Sequence, residues 1–283
     1  QHNFSDVEVY MGFKPLLKTL EANQSAKSPL YKALKRIETL EKKREANLGE
    51  IKSQLKKVEK LLATPETSPS DRAAVSEHLT KYKTELAKTD SQIRSKFGSD
   101  LDKAIKPLGL PLSGNYPTLK ANLYTFKLDF EAHQTTIWFG PEQEKLSECR
   151  LRASDVVKSL KQDIKNLGAD FDEKSFTSRL KQAYHRVADN SSKAIPITSV
   201  LPELAFLLQK ASFYQNPLQD NYRSYGRADF SYDLFRFGKF SLSQGMQLTV
   251  AVKQYTRRRQ DFLWIPSNQR GEGTLYSHIQ FKT

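Results

Sequence analysis

The chain has 283 residues, with 45 Lys and Arg against 32 Asp and Glu, a net charge of +13 and a pI near 9.6. Its single cysteine, Cys149, excludes an intrachain disulfide framework and a Cys-based zinc site, and no apolar run approaches the ~18 residues of a membrane span. The basic excess points to polyanions, nucleic acid first, in a reducing compartment: cytoplasmic, and nucleoid-associated or nuclear if DNA-bound.

The opening Gln1-His2-Asn3-Phe4-Ser5 lacks Met and a basic-then-apolar leader, as expected of a trimmed start. Residues 1–27 form a segment that packs on something through Val7, Val9, Tyr10, Phe13, Leu16, Leu17 and Leu20, with a short helix from Pro15 to Ala22. Ser28-Pro29 then caps and opens a helix expected to run to Ala63. Leu34, Ile37, Leu48, Ile51, Leu55, Val58 and Leu62 alternate in threes and fours, the seam of a coiled coil, interrupted by the polar Glu41 and Arg44. After Thr64-Pro65-Glu66-Thr67, the pattern Ser68-Pro69-Ser70-Asp71 starts a second helix with Val75, Leu79, Tyr82, Leu86 and Ile93 on the same spacing. Residues 28–104 are therefore expected to make an antiparallel coiled-coil hairpin that recruits a protein partner or a second copy. The competing expectation is that these helices form half of a four-helix core.

Residues 108–117 are rich in Gly, Pro, Ser and Asn and predict a linker. Residues 116–170 predict a β-hairpin and a helix. Tyr124 to Phe130 alternates strictly, Thr135 to Phe139 follows, and Val156, Val157, Leu160, Ile164 and Leu167 mark a helix between Ser154 and Gly168.

Residues 171–283 predict a helix with Phe176, Leu180 and Tyr184, a short extended Ala194–Ile197, and a helix from Pro202 to Gln209. A polar stretch follows, then a third helix from Tyr225 to Phe237 and strands at Leu248–Val252, Phe262–Ile265 and Leu275–Phe281. This order, helix, short strand, helix, helix and β-hairpin, resembles the winged-helix superfamily. The fold class expected is α+β: a helical hairpin, a ββα segment and a winged-helix-like basic domain. The resemblance implies that the third helix enters a DNA groove and that the hairpin wing touches backbone. Carried onto this chain, the groove set is Arg223, Tyr225, Arg227, Ser231, Tyr232 and Arg236. The wing set is Lys253, Tyr255, Arg257, Arg258 and Arg259, with Arg270 in the next turn. Three successive guanidiniums repel one another unless an anion meets them, and phosphate matches their paired donors. Tyrosines interleaved with Arg also suit stacking on single strands.

Chemistry is scarce. His2, His78, His133, His185 and His278 show no metal-ligand spacing, and Arg270-Gly271-Glu272-Gly273 is not a phosphate loop. Asp129 and Glu131 with Lys127 are the nearest approach to a metal-dependent nuclease. Tyr222 and Tyr225 beside several Arg are a weaker approach to a tyrosine nucleophile. No catalytic residue, metal or cofactor is expected. The leading expectation is a non-catalytic DNA-binding accessory protein. The alternatives are a structural adaptor with an acidic partner and an RNA-binding protein.

Overall fold

The computed structural model describes residues 12–23, 28–169, 171–238 and 245–282. Val7, Val9 and Tyr10 lie outside them. The chain divides into two compact units, the first comprising residues up to Leu101 with Asp129–Gln134 and Arg150–Ala153, the second the remainder.

The first unit is helical: α1 (Lys14–Ala22), α2 (Pro29–Glu41), α3 (Arg44–Leu62) and most of α4 (Pro69–Ile105). Both capping signals act as their sequences imply, since the Ser28 hydroxyl accepts the Tyr31 N–H and the Ser68 hydroxyl accepts the Asp71 N–H, each at 3.1 Å. The helix expected from 28 to 63 is two helices. The chain reverses at Lys42 and Lys43, so Arg36 meets Glu50 at 3.2 Å and Asn47 donates to the Leu40 carbonyl at 2.8 Å. The two polar residues that interrupt the apolar pattern sit at that reversal. Glu41 is buried, accepts from the Tyr82 hydroxyl and takes the Arg44 Nε at 2.8 Å. A buried carboxylate is tolerated because both donors face it.

The predicted seam residues Leu48, Ile51, Leu55 and Val58 on α3 are buried, as are Val75, Leu79, Tyr82 and Leu86 on α4. They share one core with Phe13, Leu16, Leu17 and Leu20 from α1 and Leu30, Leu34 and Ile37 from α2. The seam is thus spent inside a four-helix core rather than along a two-helix projection.

The second unit begins with a five-stranded meander in chain order, β1 (Leu112–Asn115), β2 (Thr118–Ala121), β3 (Tyr124–Asp129), β4 (Gln134–Phe139) and β5 (Glu144–Arg150). The expected linker contains β1, and the expected hairpin is the middle of this sheet. Next come α5 (Ala153–Asn166), α6 (Glu173–Val187), β6 (Ile195–Pro196), α7 (Ile197–Leu207), α8 (Ala211–Gln215), α9 (Arg227–Gly238), β7 (Met246–Val250), β8 (Leu263–Pro266) and β9 (Gly273–Phe281). α7 starts five residues before the expected Pro202, which it carries in its interior at the loss of one helical bond.

β9 is central in the second sheet. Tyr276 stands opposite both Val250 and Leu263, which places β7 and β8 on opposite sides of it, while Ile195 of β6 pairs with Ile279. β7 and β8 are therefore not a hairpin, and residues 251–262 carry the chain from one side of β9 to the other. β8 pairs with β9 alone, yet Leu263, Trp264, Ile265 and Pro266 are all buried, so both of its faces are covered. Phe176, Leu180, Tyr184, Val200, Leu204, Phe230, Leu234 and Phe237 complete one core with Ile265, Ile279 and Phe281.

Gly49 fixes how closely the first unit packs. A methyl group there would lie 2.6 Å from the Ala132 carbonyl oxygen and 2.9 Å from His133 Cβ. In an open helix Gly→Ala gains about 1 kcal/mol; against a fixed backbone, overpacking costs ~1–3 kcal/mol. Gly49→Ala is expected to lower the urea unfolding midpoint, and a raised midpoint would show that this approach is loose.

Candidate nucleic-acid interface

The predicted groove set, of which Arg223 and Tyr225 precede α9 and the rest lie on it, is largely committed to the protein itself. Seven of the twelve α9 residues are buried, so this helix is mainly a core element. Tyr225 is buried, and its hydroxyl donates to Asp233 Oδ2 at 2.9 Å. Burial and the Asp233 carboxylate raise the Tyr225 pKa well above its usual value. Arg236 donates to Asp233 and to the Gly168 carbonyl, and its guanidinium lies 4.0 Å from the Phe171 ring centroid and 4.8 Å from that of Tyr232. Ser231 donates to the Trp264 carbonyl. Arg223 is held by Gln209, which accepts its N–H at 2.8 Å and donates to its carbonyl at 3.0 Å, while its guanidinium donates to Ala169. These bonds fasten the long polar stretch between α7 and α9 to the end of α7.

The predicted wing residues have different surroundings. Residues 251–262 form two 3-10 turns, Lys253–Thr256 and Arg259–Asp261. The connection is pinned along its length. The Ala251 N–H donates to Leu275 at 2.8 Å, the Tyr255 ring meets His278 edge-on at 5.1 Å, Thr198 donates to the Gln260 carbonyl at 2.6 Å, and Arg227 donates to the Phe262 carbonyl. Lys253, Arg257, Arg258 and Arg259 are exposed on this pinned backbone, and Arg270 is exposed in the β8–β9 turn. Among the described residues, the side chains of Arg257 and Arg258 meet no hydrogen-bond acceptor or acid. Arg259 lies 5.5 Å from the Trp138 ring centroid and 3.8 Å from Glu142 Oε2. The same carboxylate oxygen receives Lys127 Nζ at 2.7 Å. Half-exposed pairs of this kind contribute only about 0–1 kcal/mol, so this constellation is not explained by stability.

Lys127, Trp138 and Glu142 were not among the predicted binding residues. Lys127 and Trp138 stand in recognisable strands, but nothing in their spacing brings them to Arg259. Glu142 lies in a β4–β5 turn with no local motif.

Two buried carboxyls, Asp163 and Asp233, and the half-buried Glu144 lie in the same unit. Burial raises the pKa of Glu144, opposed mainly by the Ala228 N–H that it accepts at 2.5 Å. Burial likewise raises Asp163 and Asp233, opposed by Ser147 and by Arg236 respectively. Burial lowers the Arg227 pKa, and pushes the Cys149 thiol up to about 11, which makes it a poor nucleophile. Among the described residues, no group of three or more His, Cys, Asp and Glu side chains could hold a metal ion, and no helix is long and apolar enough to cross a membrane.

Comparison with protein-family models, curated proteins and solved structures finds no match for this chain.

Because the three carboxyls are raised when folded, the native chain keeps protons that the unfolded chain has lost. Their contribution to stability is therefore greatest at low pH and falls as pH rises through the raised values. Glu144→Gln removes one such group and is expected to flatten that fall in urea midpoints measured from acid to neutral pH. An unchanged slope would show that Glu144 titrates as an ordinary carboxyl.

Proposed function

We propose that this protein is a non-catalytic nucleic-acid-binding accessory protein that grips backbone phosphates with the connection between β7 and β8. The observation that carries the proposal is the pair Arg257 and Arg258, exposed on a pinned backbone with no acceptor among the described residues. A pinned backbone spares much of the ordering cost of binding, and guanidinium forks match phosphate oxygens. Lys253, Arg259 and Arg270 extend the basic surface, and the net charge of +13 supplies long-range attraction. The strand order β6-β9-β7 after α6, α7 and α9 supports a winged-helix-like reading of the C-terminal part. In this version the connection after β7 makes the contact and α9 braces the core. DNA is favoured over RNA by that resemblance alone.

A second reading, an adaptor for a protein partner, is favoured by one observation. Phe206, Tyr214 and Tyr222 are each nearly half exposed and Leu218 more so, and Phe213 links the three rings at distances of 5.8–6.2 Å. Exposed aromatic clusters of this sort commonly anchor protein interfaces.

The discriminating experiment is fluorescence anisotropy with labelled duplex DNA, single-stranded DNA and RNA over a salt series. The double variant Arg257→Glu/Arg258→Glu is expected to weaken binding and to flatten the salt slope by about 0.9 for each duplex phosphate that is no longer neutralised. An unchanged affinity and slope would reject the interface. Absence of binding at low salt would favour the adaptor. The oligonucleotides are expected to stay full length with Mg²⁺ or Mn²⁺, and cleavage would reject the non-catalytic reading.

A further inference from the structure

We propose that Lys127 and Arg259 form a seat for a single phosphate, and that the Glu142 carboxylate fills it until a nucleic-acid phosphate displaces it. The inference rests on the nucleic-acid reading above and adds Lys127 and Glu142, which lie outside the predicted basic run, to Arg259, which lies within it. One carboxylate oxygen of Glu142 stands 2.7 Å from Lys127 Nζ and 3.8 Å from Arg259. The two cations are thus held within the span of one oxyanion, and only Lys127 is at contact distance. A phosphate presents more oxygens around one centre and can serve both donors at once.

The seat is built before the ligand arrives. Lys127 projects from β3, and Arg259 lies across Trp138 of β4, which restrains its guanidinium. The chain around Arg259 is held by the bond from Thr198 to Gln260. The backbone of the β4–β5 turn is equally fixed. The Glu142 N–H donates to the Gly140 carbonyl at 2.9 Å, and the Gln143 side chain accepts the Trp264 N–H at 2.6 Å and donates to its carbonyl at 3.1 Å. The Glu142 side chain is not enclosed in that way. It is 30% exposed, beside cations that are 46% and 61% exposed, so its ion pairs are screened and readily exchanged. Two cations and one carboxylate leave a positive balance, and removing the carboxylate's competition leaves two donors for one phosphate. Arg257 and Arg258 precede Arg259 directly, so the seat is continuous with the exposed run.

The test is anisotropy of labelled duplex DNA with the full chain over a salt series, comparing wild type, E142Q, E142Q/K127Q and E148Q. Glu148 is a control because it is also an exposed acid on this sheet, paired with Lys145. E142Q is expected to bind about three- to tenfold tighter with a salt slope steeper by about 0.9, which corresponds to one more phosphate neutralised. Adding K127Q should abolish the steeper slope, and E148Q should leave the slope unchanged. Glu142 has a φ of +57°. Gln keeps the same backbone demand, and E142N is a second charge-free variant because Asn adopts this conformation readily. Equal tightening by E142Q and E148Q without a change of slope would overturn the inference, leaving only a general field effect. No tightening in E142Q or E142N would also overturn it. If wild type fails to bind and Arg257→Glu/Arg258→Glu changes nothing, the nucleic-acid reading itself fails.

Discussion

The second unit depends on the two-way bond between the Gln143 amide and the Trp264 backbone, with distances of 2.6 and 3.1 Å. One side chain in the β4–β5 turn completes the hydrogen bonding of a residue in the fully buried strand β8. Ser231 of α9 donates to the same Trp264 carbonyl. The Trp264 indole lies edge-on to Phe139 at 5.5 Å and sits where side chains on Gly140 and Gly273 would collide with it. Meander, α9 and β8 are therefore joined at one residue. A buried peptide group left without partners would cost about 1–3 kcal/mol, which makes the joint expensive to open. Its position also determines what the surface can present, because Glu142 is the neighbour of Gln143 and Arg259 lies shortly before Trp264 in the chain.

Charge is divided by depth in this unit. Arg223, Arg227 and Arg236 give donors to carbonyls of the chain itself, and Arg236 also neutralises Asp233. Arg257 and Arg258, a short distance along the chain, have no such partners among the described residues. Basic residues of the same type thus serve two unlike purposes, and the difference is set by backbone carbonyls within reach. A desolvated guanidinium needs several acceptors, and loops such as 166–169 supply them. A guanidinium on the outer side of a 3-10 turn finds water instead.

Much of the fold was legible in local chemistry. Ser28 and Ser68 announce their helices, the apolar spacing of α4 persists over a long stretch, and strict alternation marks β3 and the end of β9. The reversal at Lys42 and Lys43 was not legible, because a polar interruption looks the same whether the helix continues or turns back. Spacing of threes and fours likewise states that a face is buried and not how many helices bury it. β5 gives no strand signal because Glu144, Lys145, Glu148 and Arg150 break any alternation, and its residues are half-buried or exposed. β1 is mostly exposed and carries Gly114 and Asn115. The basic run was legible as a surface, whereas its pairing with Lys127 and Trp138 depends on the sheet-to-sheet joint. Tyr225 and Arg236 looked like an interface because aromatic and basic residues alternate there; the same alternation serves a core helix that ties down its own loops.

The first unit is not a prefix of the chain, since Asp129–Gln134 and Arg150–Ala153 belong to it. Synthesis proceeds from the N-terminus, so α1 to α4 leave the ribosome before the segments that complete them. Until residue 133 has emerged, the α3 face around Gly49 lacks the Ala132 and His133 neighbours that it fits so tightly. The growing chain must therefore carry that bare helical face through the making of β1, β2 and β3, and the first unit is complete only when Arg150–Ala153 has followed the last strand of the meander.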